Sequence, residues 1–209
     1  MQVLAEKEAE ELLEQEGFPV SARCITPSIH MGLAFAKKVG FPVALKVVSS
    51  SIIHKSEVKG VRLDIRNEEE FRKHFESLMK IRRAEEVMIE PFTQGIPLLL
   101  GLKRDATFGH TLVVGWGDIY TEILKDIALR ICPVDNKEVL SMFEELKVNA
   151  LLEGARGKNP VDKKKLAAMI AKLSRLPEKY PNLRELDINP LLISDKELRI
   201  IDARIVFEN

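Results

Sequence analysis

The sequence predicts an α+β fold in two lobes, and three observations carry that expectation. Between residues 43 and 92 the pattern runs strand, polar loop, strand, helix, strand. From Ile96 onward it turns to short β segments broken by Gly101, Gly109, Gly115 and Gly117, the signature of antiparallel hairpins. No internal repeat, low-complexity tract or free linker interrupts the chain, so the change near residues 93–97 separates lobes, not independent modules. The expected lobes are 1–95 and 96–209.

The elements follow in order. Residues 5–16 place Ala5, Ala9, Leu12 and Leu13 on one helical face, with Gly17 and Pro19 as stop signals. Thr26-Pro27-Ser28 opens a second helix carrying Leu33, Ala34, Phe35 and Val39, ended by Gly40 and Pro42. Val43 to Val48 is apolar except for Lys46 and reads as a buried strand. Val61, Leu63 and Ile65 alternate as a half-buried strand. Asn67 and Glu70 resemble a capping box before a helix with Phe71, Phe75, Leu78 and Met79 on one stripe. Val87 to Phe92 returns as a strand. Leu98–Leu102, Thr111–Val114 and Ile119–Ile123 are expected hairpin strands; Asp135 and Asp162 are expected helix caps, the second before Leu166, Met169, Ile170 and Leu173. Leu183 to Ile193 and Leu198 to Val206 close the chain as two strands.

Composition narrows the function classes. The 209 residues hold 32 basic and 32 acidic side chains, so no net charge steers the chain to nucleic acid or an anionic membrane. With 45% apolar and 31% charged residues the sequence is that of a globule, not of a disordered or fibrous chain. Cys24 and Cys132 form no CxxC pair, which speaks against a disulfide framework or structural zinc and for a reducing interior. The acidic helical start and the lack of any apolar run near the ~18 residues of a membrane span point to a cytoplasmic protein.

Three constellations bear chemistry. A two-residue turn at Asp195-Lys196 would set Asn189 opposite Asp202, and directly opposed side chains have β-carbons about 5 Å apart. An amide oxygen and a carboxylate so placed suit Mg2+, a hard ion commonly held by one or two protein oxygens plus waters and phosphates. From spacing alone, a solvated hairpin with a cross-strand polar pair reads the same way. Lys46 is costly to bury without an anion, and a phosphate would satisfy it; an edge position with the side chain reaching water is the alternative. His54, in a loop beside Ser50, Ser51, Lys55 and Ser56, has the chemistry of a phosphoryl acceptor. His30, His74 and His110 read as solvated, and Asp105, Glu122 and Asp126 read equally as salt-bridged surface acids or as site residues. No GxxxxGK[ST] or GxGxxG occurs.

The ordered series PVALKVVS, HKSEVKGV, EPF, RDATFG, GWGDIYTEILKD, DINPLLI and IDARI spans nearly the whole chain. Together it resembles the ATP-grasp β subunit of ADP-forming acyl-CoA synthetases of the acetyl-CoA type and, more distantly, the β subunit of succinyl-CoA synthetase. The resemblance implies an ATP-grasp fold in which two α+β lobes hold ATP or ADP between them. It places the phosphate-contacting lysine at Lys46, the hinge against adenine at Glu90 and Phe92, the magnesium ligands at Asn189 and Asp202, and the phosphoryl carrier at His54. It also implies a hetero-oligomer with a CoA-binding α subunit, which this chain lacks, turning acyl-CoA and phosphate into acyl phosphate and then phosphohistidine. Two other readings stay open: a different ATP-grasp carboxylate ligase, and a non-catalytic nucleotide-binding scaffold. The chain departs from the family pattern at Lys59, Pro97, His110 and Asp118, where two glycines together, an acid, a proline and two adjacent glycines are usual.

Overall fold

The computed structural model describes residues 1–49, 58–117, 126–154, 159–194 and 197–208. The chain opens with β1 (Gln2–Leu4) and helix α1 (Glu6–Gln15), whose Ala9 and Leu13 are buried. Residues Ser21–Thr93 then form one unit, and Met1–Val20 with Gln94–Asn209 the other.

The Ser21–Thr93 unit contains β2 (Cys24–Thr26), α2 (Ile29–Val39), β3 (Val43–Val48), β4 (Val61–Ile65), α3 (Glu68–Met79) and β5 (Glu86–Pro91). Its antiparallel sheet runs in the order β2-β5-β3-β4. The caps are those the sequence offers: the Met31 N–H donates to Ser28 Oγ, and the Glu70 N–H donates to Asn67 Oδ1 at 2.9 Å. Val43, Leu45 and Val47 alternate with Val87 and Ile89 into one core with Leu33, Ala36, Phe71, Phe75 and Leu78. Gly32 lets α2 approach closely, because a β-carbon there would stand 3.0 Å from Ile89 Cδ1 and 3.2 Å from the Phe71 ring. The alternate residues of the central strands, Ala44, Lys46, Met88 and Glu90, fall on the sheet's other face and are also buried.

The second unit adds β6 (Ile96–Asp105), β7 (Gly109–Trp116), β8 (Ile127–Ile131), α4 (Asn136–Glu145), α5 (Asn149–Leu152), α6 (Lys163–Leu173), α7 (Leu176–Lys179), β9 (Leu183–Ile193), β10 (Leu198–Ile200) and β11 (Ala203–Phe207). Its seven-stranded antiparallel sheet has the order β1-β11-β9-β6-β7-β8, with β10 also on β9. Leu98, Leu100, Leu102, Leu112, Val114, Leu186, Ile188 and Ile205 form one face and share a core with Leu13 of α1, Phe143 of α4 and Ile170 of α6. Asp135 and Asp162 cap α4 and α6, accepting from the Glu138 and Lys165 N–H groups.

Two expectations need correction, and a third is not tested. Residues 1–20 do not belong with the first lobe: β1 pairs β11 through Val3↔Val206, and Val20 bridges Ile200. A short amphipathic helix carries no local signal of which sheet it will cover, so a boundary drawn from sequence order alone misplaces it. The expected strand Ile119–Ile123 lies outside the described residues; β7 pairs with β6 on one side and with β8, a strand the sequence reading did not name, on the other. The closing strand is interrupted at Ile201-Asp202, splitting β10 from β11.

Candidate functional site

Two polar clusters emerge, one in each unit. In the four-stranded sheet, Ala44 lies opposite Glu90 and Lys46 opposite Met88, so Lys46 and Glu90 are diagonal neighbours on one face. Lys46 Nζ lies 2.7 Å from Glu90 Oε1, with 7% and 2% of the two side chains exposed. The buried strand lysine expected from the sequence is therefore present, and its partner within the chain is a carboxylate the sequence reading assigned to the adenine hinge. Phe92 follows β5, half-buried, and its N–H donates to Pro42 O at 3.0 Å.

On the seven-stranded sheet the register does what the turn arithmetic expects. Ile193 pairs Leu198, Leu191 pairs Ile200 and Ile188 pairs Ala203, which puts Asn189 opposite Asp202. The Asn189 N–H donates to Asp202 O at 3.1 Å, and the Ser194 N–H donates to Glu197 O at the turn. Pro190 has no N–H for the ladder, and its carbonyl accepts from Ile201. Two positions before Asn189, and so on the same face, stands Asp187, opposite Arg204 on one side and Gly101 on the other. Burial, then the Asp202 carboxylate, then Glu185 push the Asp187 carboxyl up to about 6, only partly offset by Arg204. Sequence reasoning missed Asp187, although its two-residue spacing from Asn189 was the available signal.

This face tests whether Mg2+ fits. Its donors are hard oxygens, an amide and carboxylates gathered on one face, with burial and then Asp202 and Glu185 raising the Asp187 carboxyl. No group of three or more His, Cys, Asp or Glu suited to a metal occurs among the described residues. A partial shell completed by water and phosphate is therefore the arrangement these residues suit.

The remaining candidates divide. His54 lies outside the described residues, as do Asp118 and Glu122. His110, read as solvated, sits in β7 with Nε2 2.6 Å from Leu183 O. Asp126, read equally as a surface acid or a site residue, is 6% exposed and accepts from the Lys147 and Val148 N–H groups at 2.9 Å each; its job is to tie two backbone donors. Asp105 caps its turn by accepting from Thr107 and Phe108. Burial, with Arg62 and Lys73 nearby, holds the His74 ring below its usual range. Lys59, where the family commonly has glycine, is held at φ 51°, in the left-handed region that favours glycine. Pro97 is an ordinary strand residue opposite Leu192.

Two α+β units, each built on an antiparallel sheet, are the architecture of an ATP-grasp domain. The ATP-grasp domain family matches residues 1–207. The β subunit of acetate–CoA ligase (ADP-forming) I of Pyrococcus furiosus is 34% identical over 211 residues, covering 97% of this chain and 91% of that one. A solved acetyl-coenzyme A synthetase 1 of Ca. Korarchaeum cryptofilum, in complex with coenzyme A and Ca-AMPCP, superposes with TM-score 0.91 at 32% identity, covering 99% of this chain and 94% of that chain. Another structure of that synthetase, with coenzyme A and Mg-AMPPCP, is described with its phosphohistidine segment pointing towards the nucleotide binding site; it matches with TM-score 0.85 at 32% identity over 99% of this chain and 93% of that one. The chain belongs to the ATP-grasp family, among the β subunits of ADP-forming acetyl-CoA synthetases.

Proposed function

We propose that this chain is the nucleotide-binding β subunit of an ADP-forming acyl-CoA synthetase, an acid–thiol ligase serving the reaction of acyl-CoA, ADP and phosphate to acid, CoA and ATP. In this chain's half of the reaction the P–N bond of phosphorylated His54 breaks and a P–O bond forms to a terminal oxygen of ADP, returning neutral imidazole. Such transfers depend on positioning and charge neutralisation more than on covalent assistance from the protein.

The residues take separate parts. Lys46 holds phosphate oxygens with its ammonium. Glu90, its side chain engaged with Lys46, offers the base its backbone, and Phe92 stands beside it at the hinge. Asn189 and Asp202 would hold Mg2+, with Asp187 adding charge beside them. When bound, the ion supplies neutralisation of the phosphate oxygens. A separately encoded CoA-binding α subunit supplies the phosphoryl group; the relative from Pyrococcus furiosus is itself named as one subunit of its enzyme. No helix among the described residues is long and apolar enough to cross a membrane.

The observation that supports this reading most is the register that opposes Asn189 and Asp202 on the face that also carries Asp187. The test is label transfer from γ-labelled ATP to the chain, with Mg2+ present. The parent is expected to label and His54→Ala to stay blank. Equal labelling of both would end the carrier role and favour an acyl-phosphate ligase. A parent that binds Mg-ADP in calorimetry yet takes no label would leave only the non-catalytic nucleotide-binding scaffold.

A further inference from the structure

β8 is the end strand of its sheet, and it inverts the usual pattern of an end strand. Its apolar side chains face solvent: Ile127, Leu129 and Ile131 are 45%, 54% and 55% exposed, while Ala128 lies in the core. Arg130, on the core face, is bound by Glu138 and Glu145. End strands are commonly blunted by outward lysine, proline or other charge, and none stands on this outward set.

The hydrogen-bond parity adds to this. The Trp116 N–H donates to Asp126 O and the Cys132 N–H to His110 O, so the pairs at 126, 128, 130 and 132 exchange bonds with β7. The N–H and C=O groups of Ile127, Leu129 and Ile131 consequently point away from the sheet. Among the described residues, no strand pairs with that edge. The same three residues thus present both open backbone groups and exposed apolar side chains.

We infer that this edge pairs with β8 of a second copy of the chain about a two-fold axis through Leu129. The segment reads Ile-x-Leu-x-Ile and is symmetric about its centre, which is what an isologous interface demands. An antiparallel pairing centred there places Leu129 beside its symmetry mate and Ile127 beside Ile131 of the other copy, with all three pairs on one face and their free backbone groups exchanged. Arg130 then meets Ala128 rather than another arginine, so no like charges oppose. Joining the two edges makes one continuous sheet. The strip is short, so the association belongs to the weak class.

Sedimentation velocity of the full chain over a wide concentration range tests this. The expected result is a monomer–dimer equilibrium that Leu129→Lys abolishes and Leu129→Val keeps, with far-UV dichroism showing that both variants stay folded. Register is read by cross-linking: under mild oxidation Leu129→Cys forms a symmetric dimer, whereas Ile127→Cys does not, because its mate stands opposite residue 131. A chain that stays monomeric throughout, or a dimer indifferent to Leu129→Lys, overturns the inference. So does a monomer in which Leu129→Lys instead releases a CoA-binding chain, which would assign the edge to that partner.

Discussion

Lys46 and Glu90 answer each other's charge inside the four-stranded unit, whereas Glu185, Asp187 and Asp202 share a face of the seven-stranded sheet with Arg204 as their nearest named cation. The first cluster pairs opposite charges in a buried setting; in the second, burial and then the neighbouring Asp202 and Glu185 carboxylates hold the Asp187 carboxyl above its ordinary range. The difference separates two ways of preparing for a charged ligand. A buried lysine paired in advance stays oriented, and an arriving phosphate must compete with a carboxylate for it. A buried acid crowded by two other carboxylates is instead held partly protonated, and a cation arriving on that face would compete with the proton.

The largest expected effect breaks the first cluster. Glu90→Leu removes the carboxylate 2.7 Å from the buried Lys46 ammonium and is expected to cost about 3–5 kcal/mol, read as a lowered thermal midpoint, while Lys46→Met with Glu90→Leu recovers most of the loss because both members of the pair are gone. If the single and double variants melt alike, the pair does not hold charge as described. Next comes the second cluster. Because the Asp187 carboxyl is raised from 3.8 to about 6 in the fold, the folded chain binds the proton more tightly than the unfolded one. Stability is therefore fully present below pH ~4 and is lost as pH rises through 6. Asp187→Asn is expected to gain about 2–3 kcal/mol at pH 7, measured by urea denaturation, and to flatten the dependence between pH 4 and 6. An unchanged profile would remove the charge argument for this face.

A smaller effect sharpens the contrast functionally. Asp202→Ala is expected to weaken Mg-ADP binding about 10- to 100-fold in calorimetry, on the scale of one lost ligand-shell contact, without the stability loss of Glu90→Leu. Equal affinity would put the cation elsewhere. The smallest prediction lies outside both clusters: Lys59→Gly relieves the backbone at φ 51° and is expected to raise stability by less than about 1 kcal/mol, since glycine's added freedom in the unfolded chain offsets part of the relief.

Much of this arrangement was legible before any coordinates. Val43–Val48 announced itself as a strand with one lysine, and the last hairpin's register followed from a short turn, because residues a few positions apart are coupled by local geometry. The capping side chains Ser28, Asn67, Asp135 and Asp162 were legible for the same reason. Glu90 as the partner of Lys46 was not, since nothing local links β3 to β5. Asp126 stayed ambiguous and His110 looked solvated because their true partners, the Lys147 and Val148 amides and the Leu183 carbonyl, come from distant segments.

By itself, then, the amino-acid order determined the longer helices and strands, the pairing of Asn189 with Asp202, and an ordered set of motifs specific enough to indicate a family. The short strands β1 and β2, the end strand β8 and the break between β10 and β11 went unread. Tertiary structure alone decided that the first twenty residues complete the larger sheet, that Lys46 is neutralised by Glu90, that Asp187 is crowded by two other acids, and that β8 turns its isoleucines and leucine outward. Periodicity reports which residues share a face, but which face is covered, and by what, depends on segments far away in the chain.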